Sequence, residues 1–320
     1  VQNIELRPLG AGEILDRAVT LYVRRFVAIA TVLAIITVPL LLLQALVSPG
    51  SFRIGEDLLQ VLQAGGNTAK SGNVLAKIAR DSQFTLPIAG VLVGGLLVRL
   101  LAWNALVAVI AGAYAGVALS PGAAYAIAVR RYFPQFVVGL VFFGITLVAL
   151  IPVGLVYVAI IAAVVALSLA KLQVVAIIAG IGLGLAFVAF AAVVTAWLLM
   201  AYELASVAVV TEGPSPVAAV ASGLRRAFGR GTRWRTLVAG LIYVALVYGA
   251  TIPAGMMGLL LGAVTHQPLL AAAASAVASV LVQGLLGAFV VVYATDVRVR
   301  REGLDLAALA DVGASAAPAV

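Results

Sequence analysis

Residues 136–170 read FVVGLVFFGITLVALIPVGLVYVAIIAAVVALSLA, and after Lys171 the apolar run resumes as Leu172–Val210. About 20 consecutive apolar residues in a helix cross a hydrocarbon core roughly 30 Å thick. Each of these runs exceeds that length. The apolar residues are continuous rather than alternating with a period of two, so helices are expected in place of barrel strands. The lone Lys171 then marks a turn between two spans.

Working outward, four more runs qualify: Val27–Val47, Leu86–Leu119, Leu237–Val264 and Leu269–Ala294. The whole chain agrees with them. Of its 320 residues 64% are apolar and 10% charged, and the mean hydropathy is +1.19. A soluble domain is about half apolar and a quarter charged, and so much apolar surface cannot be hidden in one water-soluble core. The expectation is an all-α integral membrane protein with about six transmembrane helices in one polytopic domain, 1–301, followed by a tail, 302–320. The first run is longer than a signal-peptide core and follows an amphipathic helix, so it is expected to stay as a span.

The formal net charge is +8. In a soluble chain this would suggest nucleic acid, but here the arginines flank the apolar runs, and orientation in a membrane explains them better. With the N-terminus inside, fourteen of the 20 Lys and Arg fall in cytoplasmic segments and five in outer segments. That bias predicts a multi-pass protein of a bacterial cytoplasmic membrane with both termini inside. No cysteine is present, which excludes disulfides, thiolate metal sites and cysteine nucleophiles. Residues 48–85 form the only long polar loop, read as outer, with short helices around 57–63 and 74–80. It is either a cap or a long connection.

A unit recurs. Residues 120–133, SPGAAYAIAVRRYF, and 215–228, SPVAAVASGLRRAF, agree at eight of fourteen positions without a gap. Serine is placed to cap a helix and proline to occupy its first turn, where a missing N–H costs little. The Arg pair near the far end suits the helix dipole and lipid phosphates. A looser third copy, residues 12–26, has Ile14, Leu15, Ala18, Leu21 and Tyr22 on one face. Glu13, Arg17, Thr20 and Arg24 lie on the other, and it also ends Arg24-Arg25-Phe26. The span after each copy holds a proline, Pro39, Pro152 or Pro253, expected to kink it. The simplest scheme is a threefold repeat of interfacial helix and hairpin. GxxxG spacings at Gly90/Gly94, Gly112/Gly116, Gly180/Gly184 and Gly258/Gly262 suggest close helix packing, although 32 glycines produce such spacings readily.

Three segments together are distinctive: LRPLGAGEILDRA (Leu6–Ala18), TEGPSPVAAV…RRAF (Thr211–Phe228) and YATDVRVRREGLDL (Tyr293–Leu306). In this order, between long apolar runs, they resemble the bacterial family known as the membrane domain of glycerophosphoryl diester phosphodiesterase. The resemblance implies a membrane module. It implies no activity, because phosphodiester chemistry in that family belongs to a separate barrel domain using histidines and metal-binding carboxylates, and His266 is the one histidine here.

Few residues could carry chemistry. Arg99 lies inside the second span, about 20 Å from its outer end at 1.5 Å per residue, with Asn104 five residues on. An ionisable residue at that depth is a functional candidate, here an anion or headgroup contact in a polar cleft. The alternative is that Arg99 snorkels or bonds to free carbonyls. Glu203, beside Tyr202, is expected near the cytoplasmic surface in contact with an arginine such as Arg225. Asp296 is expected to pair with Arg298 or Arg300. His266 reads as a turn residue, and Trp234 as an interfacial anchor. No phosphate-binding loop, HExxH or GxSxG motif is present, and no cofactor or catalytic residue is expected.

Two functions follow. The first is a non-enzymatic scaffold, accessory or lipid-interacting module. Its partners are the bilayer, anionic headgroups at Arg24, Arg25, Arg130, Arg131, Arg225 and Arg226, and a membrane protein or a second copy. The second is a transporter-like component with a polar site near Arg99.

Overall fold

The computed structural model describes residues 8–47 and 86–303; the expected polar loop with its two short helices, the first residues of the opening motif, and the tail beyond Gly303 lie outside the described residues. The described chain is helical throughout: α1 (Ala11–Arg24), α2 (Phe26–Val47), α3 (Leu86–Tyr114), α4 (Pro121–Arg130), α5 (Tyr132–Leu169), α6 (Gln173–Thr211), α7 (Pro216–Phe228), α8 (Arg233–Thr265) and α9 (Pro268–Glu302). Six of them, α2, α3, α5, α6, α8 and α9, are long and apolar enough to cross a membrane. The protein is therefore an all-α membrane protein with about six spans, with the short helices α1, α4 and α7 each preceding a span.

Helix ends fall where backbone chemistry dictates. α3 stops at Tyr114 rather than at Leu119, because Gly116 turns left-handed (φ 80°) and the Val117 N–H closes back on the Gly112 carbonyl at 2.8 Å. Ser120 caps α4 by accepting from the Ala123 N–H at 3.3 Å, and Ser215 caps α7 by accepting from the Ala218 N–H at 3.4 Å, each ahead of a first-turn proline. α1 and α4 break for a single residue, Arg25 or Arg131, before the next span begins. α9 runs past Ala294 to Glu302, and Gly303 (φ 61°) ends it. The hairpins α5–α6 and α8–α9 close on Lys171 (φ 60°) and His266 (φ 54°), both left-handed.

Pro39, Pro152 and Pro253 each sit inside an unbroken helix. Hydroxyls within the spans bond to the carbonyl four residues back, as Thr146 does to Phe142 at 2.8 Å and Thr295 to Val291 at 2.9 Å. A hydroxyl in lipid has no water to turn to.

The chain divides into two compact units. The first comprises residues up to Phe133 and from Ala245 onward. Its centre is α9, which packs against α1, α2 and α3, while α3 also packs against α2 and α4. Close contact is made possible by Gly287, where a Cβ would stand 2.6 Å from Leu106, and by Gly284, where one would stand 2.7 Å from the Tyr22 ring. Along the most apolar window, 61% of α9 is buried, which makes it the core helix of this unit.

The second unit, Pro134–Val244, holds α5, α6, α7 and the first part of α8. Its core is the last third of α6, where residues from Met200 to Val210, Tyr202 apart, are buried. α8 lies against it where Gly240 meets the Ala196 carbonyl, and α7 where Gly223 meets Ala201 and Ala205. The parts of α5 and α6 nearest the Lys171 turn are an exposed apolar hairpin, and only 6% of each most apolar window is buried. At 38 and 39 residues these helices are about 57 Å long, well beyond the roughly 30 Å a hydrocarbon core requires. Of the expected GxxxG glycines, Gly258 meets Ser275 of α9, Gly180 meets Val164 of α5 and Gly112 meets Leu119, whereas Gly90, Gly94, Gly116 and Gly184 face open space.

Candidate functional site

Two polar assemblies stand out, one in each unit, together with a set of exposed arginines. In the first unit, the segment leading into α1 is clasped to the end of α9. Leu9 donates its backbone N–H to Asp296 Oδ1 at 2.7 Å, and Arg300 Nη2 donates to the Leu9 carbonyl, also at 2.7 Å. Arg300 Nε bonds back to Asp296 at 3.0 and 3.1 Å. One acid–base pair thereby satisfies both backbone groups of Leu9. Of the two partners expected for Asp296, Arg300 takes the place, and Arg298 turns to Glu302 at 3.1 Å.

The α1 and α4 helices lie on this unit by narrow apolar stripes. α1 buries Ile14 and Ala18, and α4 buries Ala124 and Ala128. Tyr125 of α4 donates to the Val32 carbonyl of α2 at 2.7 Å, and burial pushes its phenol up from its ordinary value. Arg24, Arg25 and Arg130 are exposed at the ends of these stripes, and Arg131 is half-buried.

Arg99 and Asn104 are not brought together. Arg99 is exposed on a side of α3 that also shows Leu96 and Val98 to the outside, whereas Asn104 is fully buried. Five residues turn a helix by about 140°, which puts the two side chains on different faces. The polar cleft expected at Arg99 is therefore absent from α3, and the guanidinium lies on an apolar surface where snorkelling is open to it. Neither amide atom of Asn104 finds a hydrogen-bond partner among the described residues.

In the second unit, a polar cluster sits inside the bundle near the ends of the helices that carry the arginines. Gln135, in the first turn of α5, donates through Nε2 to Ser206 Oγ at 2.8 Å and Tyr202 Oη at 3.2 Å. Tyr243 of α8 donates to Glu203 Oε1 at 3.0 Å. Phe142 packs edge-on against the Tyr202 ring, with centroids 5.7 Å apart. Glu203 differs from expectation: it is buried and bonded to a tyrosine, not exposed to an arginine. The reason is the tight approach of α7 and α8 through Gly223 and Gly240, which covers this part of α6.

Arg226 also departs from its expected lipid contact. It is 6% exposed and grips Glu212 with both nitrogens, at 2.8 and 3.0 Å, tying the end of α6 to α7. Arg225 beside it is exposed. Trp197 donates to the Arg233 carbonyl at 3.0 Å and stacks between Phe228 and Trp234. Trp234 is itself 63% exposed, with the Arg233 guanidinium over its ring. His266 is an exposed turn residue.

Gln135, Ser206, Tyr243 and Leu9 were not singled out by the sequence. A signal existed for two of them: Gln135 follows Arg131 and Tyr243 follows Arg235 within about two helical turns. Comparison of the chain with protein-family models, curated proteins and solved structures finds no match.

Proposed function

We propose that this chain is a non-enzymatic membrane module that holds anionic lipid headgroups along the cytoplasmic face of a bacterial inner membrane, with both termini on that face. The observation that carries this reading is the placement of exposed Arg24, Arg25, Arg130 and Arg225 at the ends of the short helices α1, α4 and α7, each lying beside the start of a span. A short helix with a narrow buried stripe and cationic end suits the headgroup layer. Each such arginine near an anionic surface contributes about 1 kcal/mol. The exposed Trp234 beside Arg233 supports the same depth, since indole rings favour that layer. The resemblance of the two end motifs and the Thr211–Phe228 segment to the membrane domain of glycerophosphoryl diester phosphodiesterase fits a module that works beside lipid without its own chemistry.

Reconstitution in nanodiscs of graded phosphatidylglycerol content tests this. The melting temperature should rise with the anionic fraction, and the rise should shrink in high salt. A melting temperature indifferent to the anionic fraction would remove the reading.

A further inference from the structure

Glu203 is a buried carboxyl group of the second unit, and its hydrogen bond among the described residues comes from a neutral donor. The Tyr243 hydroxyl donates to its Oε1 at 3.0 Å, and its Oε2 meets no donor. Gln135 is fully buried as well. Its Nε2 donates to Ser206 and Tyr202, and its Oε1 is left without a donor. Among the described residues of this unit, these two oxygens are the buried side-chain atoms that lack a partner. They are neighbours through α6. Tyr202 precedes Glu203 and Ser206 lies three residues after it, so Gln135 grips the stretch of α6 that carries the carboxyl group.

A buried acceptor without a donor is costly, and an uncompensated buried charge is more so. One proton on Oε2 removes both costs. It neutralises the carboxyl group and turns Oε2 into a hydroxyl donor, for which Gln135 Oε1 is the vacant acceptor. Oε1 remains a carbonyl oxygen and keeps its bond from Tyr243. A water between the two oxygens, or the Gln135 amide turned over, would also supply a donor. Either would leave a full negative charge among neutral groups. α5 brings Gln135, α6 brings Tyr202, and α8 brings Tyr243. Arg235 and Arg233 stand eight and ten residues before Tyr243, about 12 Å or more along α8. From α7, Arg226 is taken up by Glu212 and Arg225 is exposed.

We propose that Glu203 is a proton-binding site, which near neutral pH holds a proton on Oε2 and donates it in a hydrogen bond to Gln135 Oε1. With the bond from Tyr243, the neutral carboxyl group joins α5, α6 and α8 at one point. Loss of the proton sets a carboxylate against an amide oxygen and breaks the arm to α5, so the tie is sensitive to alkali. The site does not depend on the lipid reading.

Infrared spectroscopy of the full chain in an ester-free neutral detergent reads the proton directly. Near neutral pH the wild type should show the C=O stretch of a protonated carboxylic acid, and Glu203→Gln should remove it. Gln135→Leu should keep the band but move it to higher frequency, because the acid has lost its acceptor. Raising the pH should remove the wild-type band and lower the wild-type melting temperature relative to Glu203→Gln, whose amide keeps donor and acceptor throughout. Stability falls with pH where the folded chain holds more protons than the unfolded one. If Glu203→Gln does not fold, the band shift in Gln135→Leu decides alone. A wild-type spectrum with no protonated-acid band that Glu203→Gln removes would show an ionised carboxylate, as a bridging water or a turned amide requires, and would overturn the site. A band unmoved in Gln135→Leu would overturn the bond to Gln135.

Discussion

Asp296 Oδ1 accepts the backbone N–H of Leu9 at 2.7 Å, joining positions 287 residues apart near the two ends of the described chain. The contact is buried, and Arg300 completes it by donating to the Leu9 carbonyl. Asp296→Ala leaves a buried N–H and an arginine without their acceptor, and should cost about 2–3 kcal/mol. Arg300→Gln should cost less, about 1 kcal/mol, because Arg300 is partly exposed to screening. Unfolding in detergent checks the order, and the account of the clasp fails if Arg300→Gln is the more damaging.

Gly287 sits where a Cβ would meet Leu106 at 2.6 Å in the centre of the first unit. Gly287→Ala should destabilise by about 1–3 kcal/mol through overpacking. Gly184→Ala, into open space inside a helix, should be neutral or stabilising by up to about 1 kcal/mol, since alanine is the better helix former. Equal effects in the two variants would contradict the packing described.

The class of fold was legible because apolar runs of this length have one solvent that suits them, and Lys171 alone sufficed to divide α5 from α6. The Ser120 and Ser215 caps were legible too, since capping is local chemistry. The polar interior was not. Glu203 reads as interfacial from its distance along α6. Only the approach of α7 and α8 at Gly223 and Gly240 buries it, and close approach depends on partners far away in sequence. Arg225 and Arg226 are adjacent and alike in the sequence, yet about 100° of helical rotation sends one outward and the other onto Glu212. GxxxG spacing was informative only in part, with Gly258 against Ser275 but Gly90 and Gly94 against nothing, because it marks small residues without saying whether anything faces them.

That difference within one Arg pair is measurable. Arg226→Gln removes a bidentate pair at a mostly buried guanidinium and should cost about 1.5–3 kcal/mol. Arg225→Gln should leave stability within about 0.5 kcal/mol in detergent. Matching losses would show that the Glu212 pair is not what holds α7 to α6.

Lys171 holds a left-handed conformation at the α5–α6 turn, with the Leu172 N–H bonded to the Leu167 carbonyl at 3.0 Å. Left-handed backbone costs a side-chain-bearing residue roughly 1–2 kcal/mol. Lys171→Gly should therefore be neutral or stabilising, and Lys171→Val destabilising by about 1 kcal/mol or more. Comparing the two melting temperatures checks the turn. A stabilising valine would mean the turn is not left-handed.

The central claim is that exposed arginines on α1, α4 and α7 hold anionic headgroups, and the most direct measurement counts bound lipid. Wild type and the combined variant R24Q/R25Q/R130Q/R225Q would be released from mixed nanodiscs of phosphatidylglycerol and phosphatidylcholine, and retained lipids counted by native mass spectrometry. The account predicts that wild type retains phosphatidylglycerol in preference and that the variant, with unchanged helical circular dichroism, loses the preference. Equal enrichment of phosphatidylglycerol in the two proteins would contradict it.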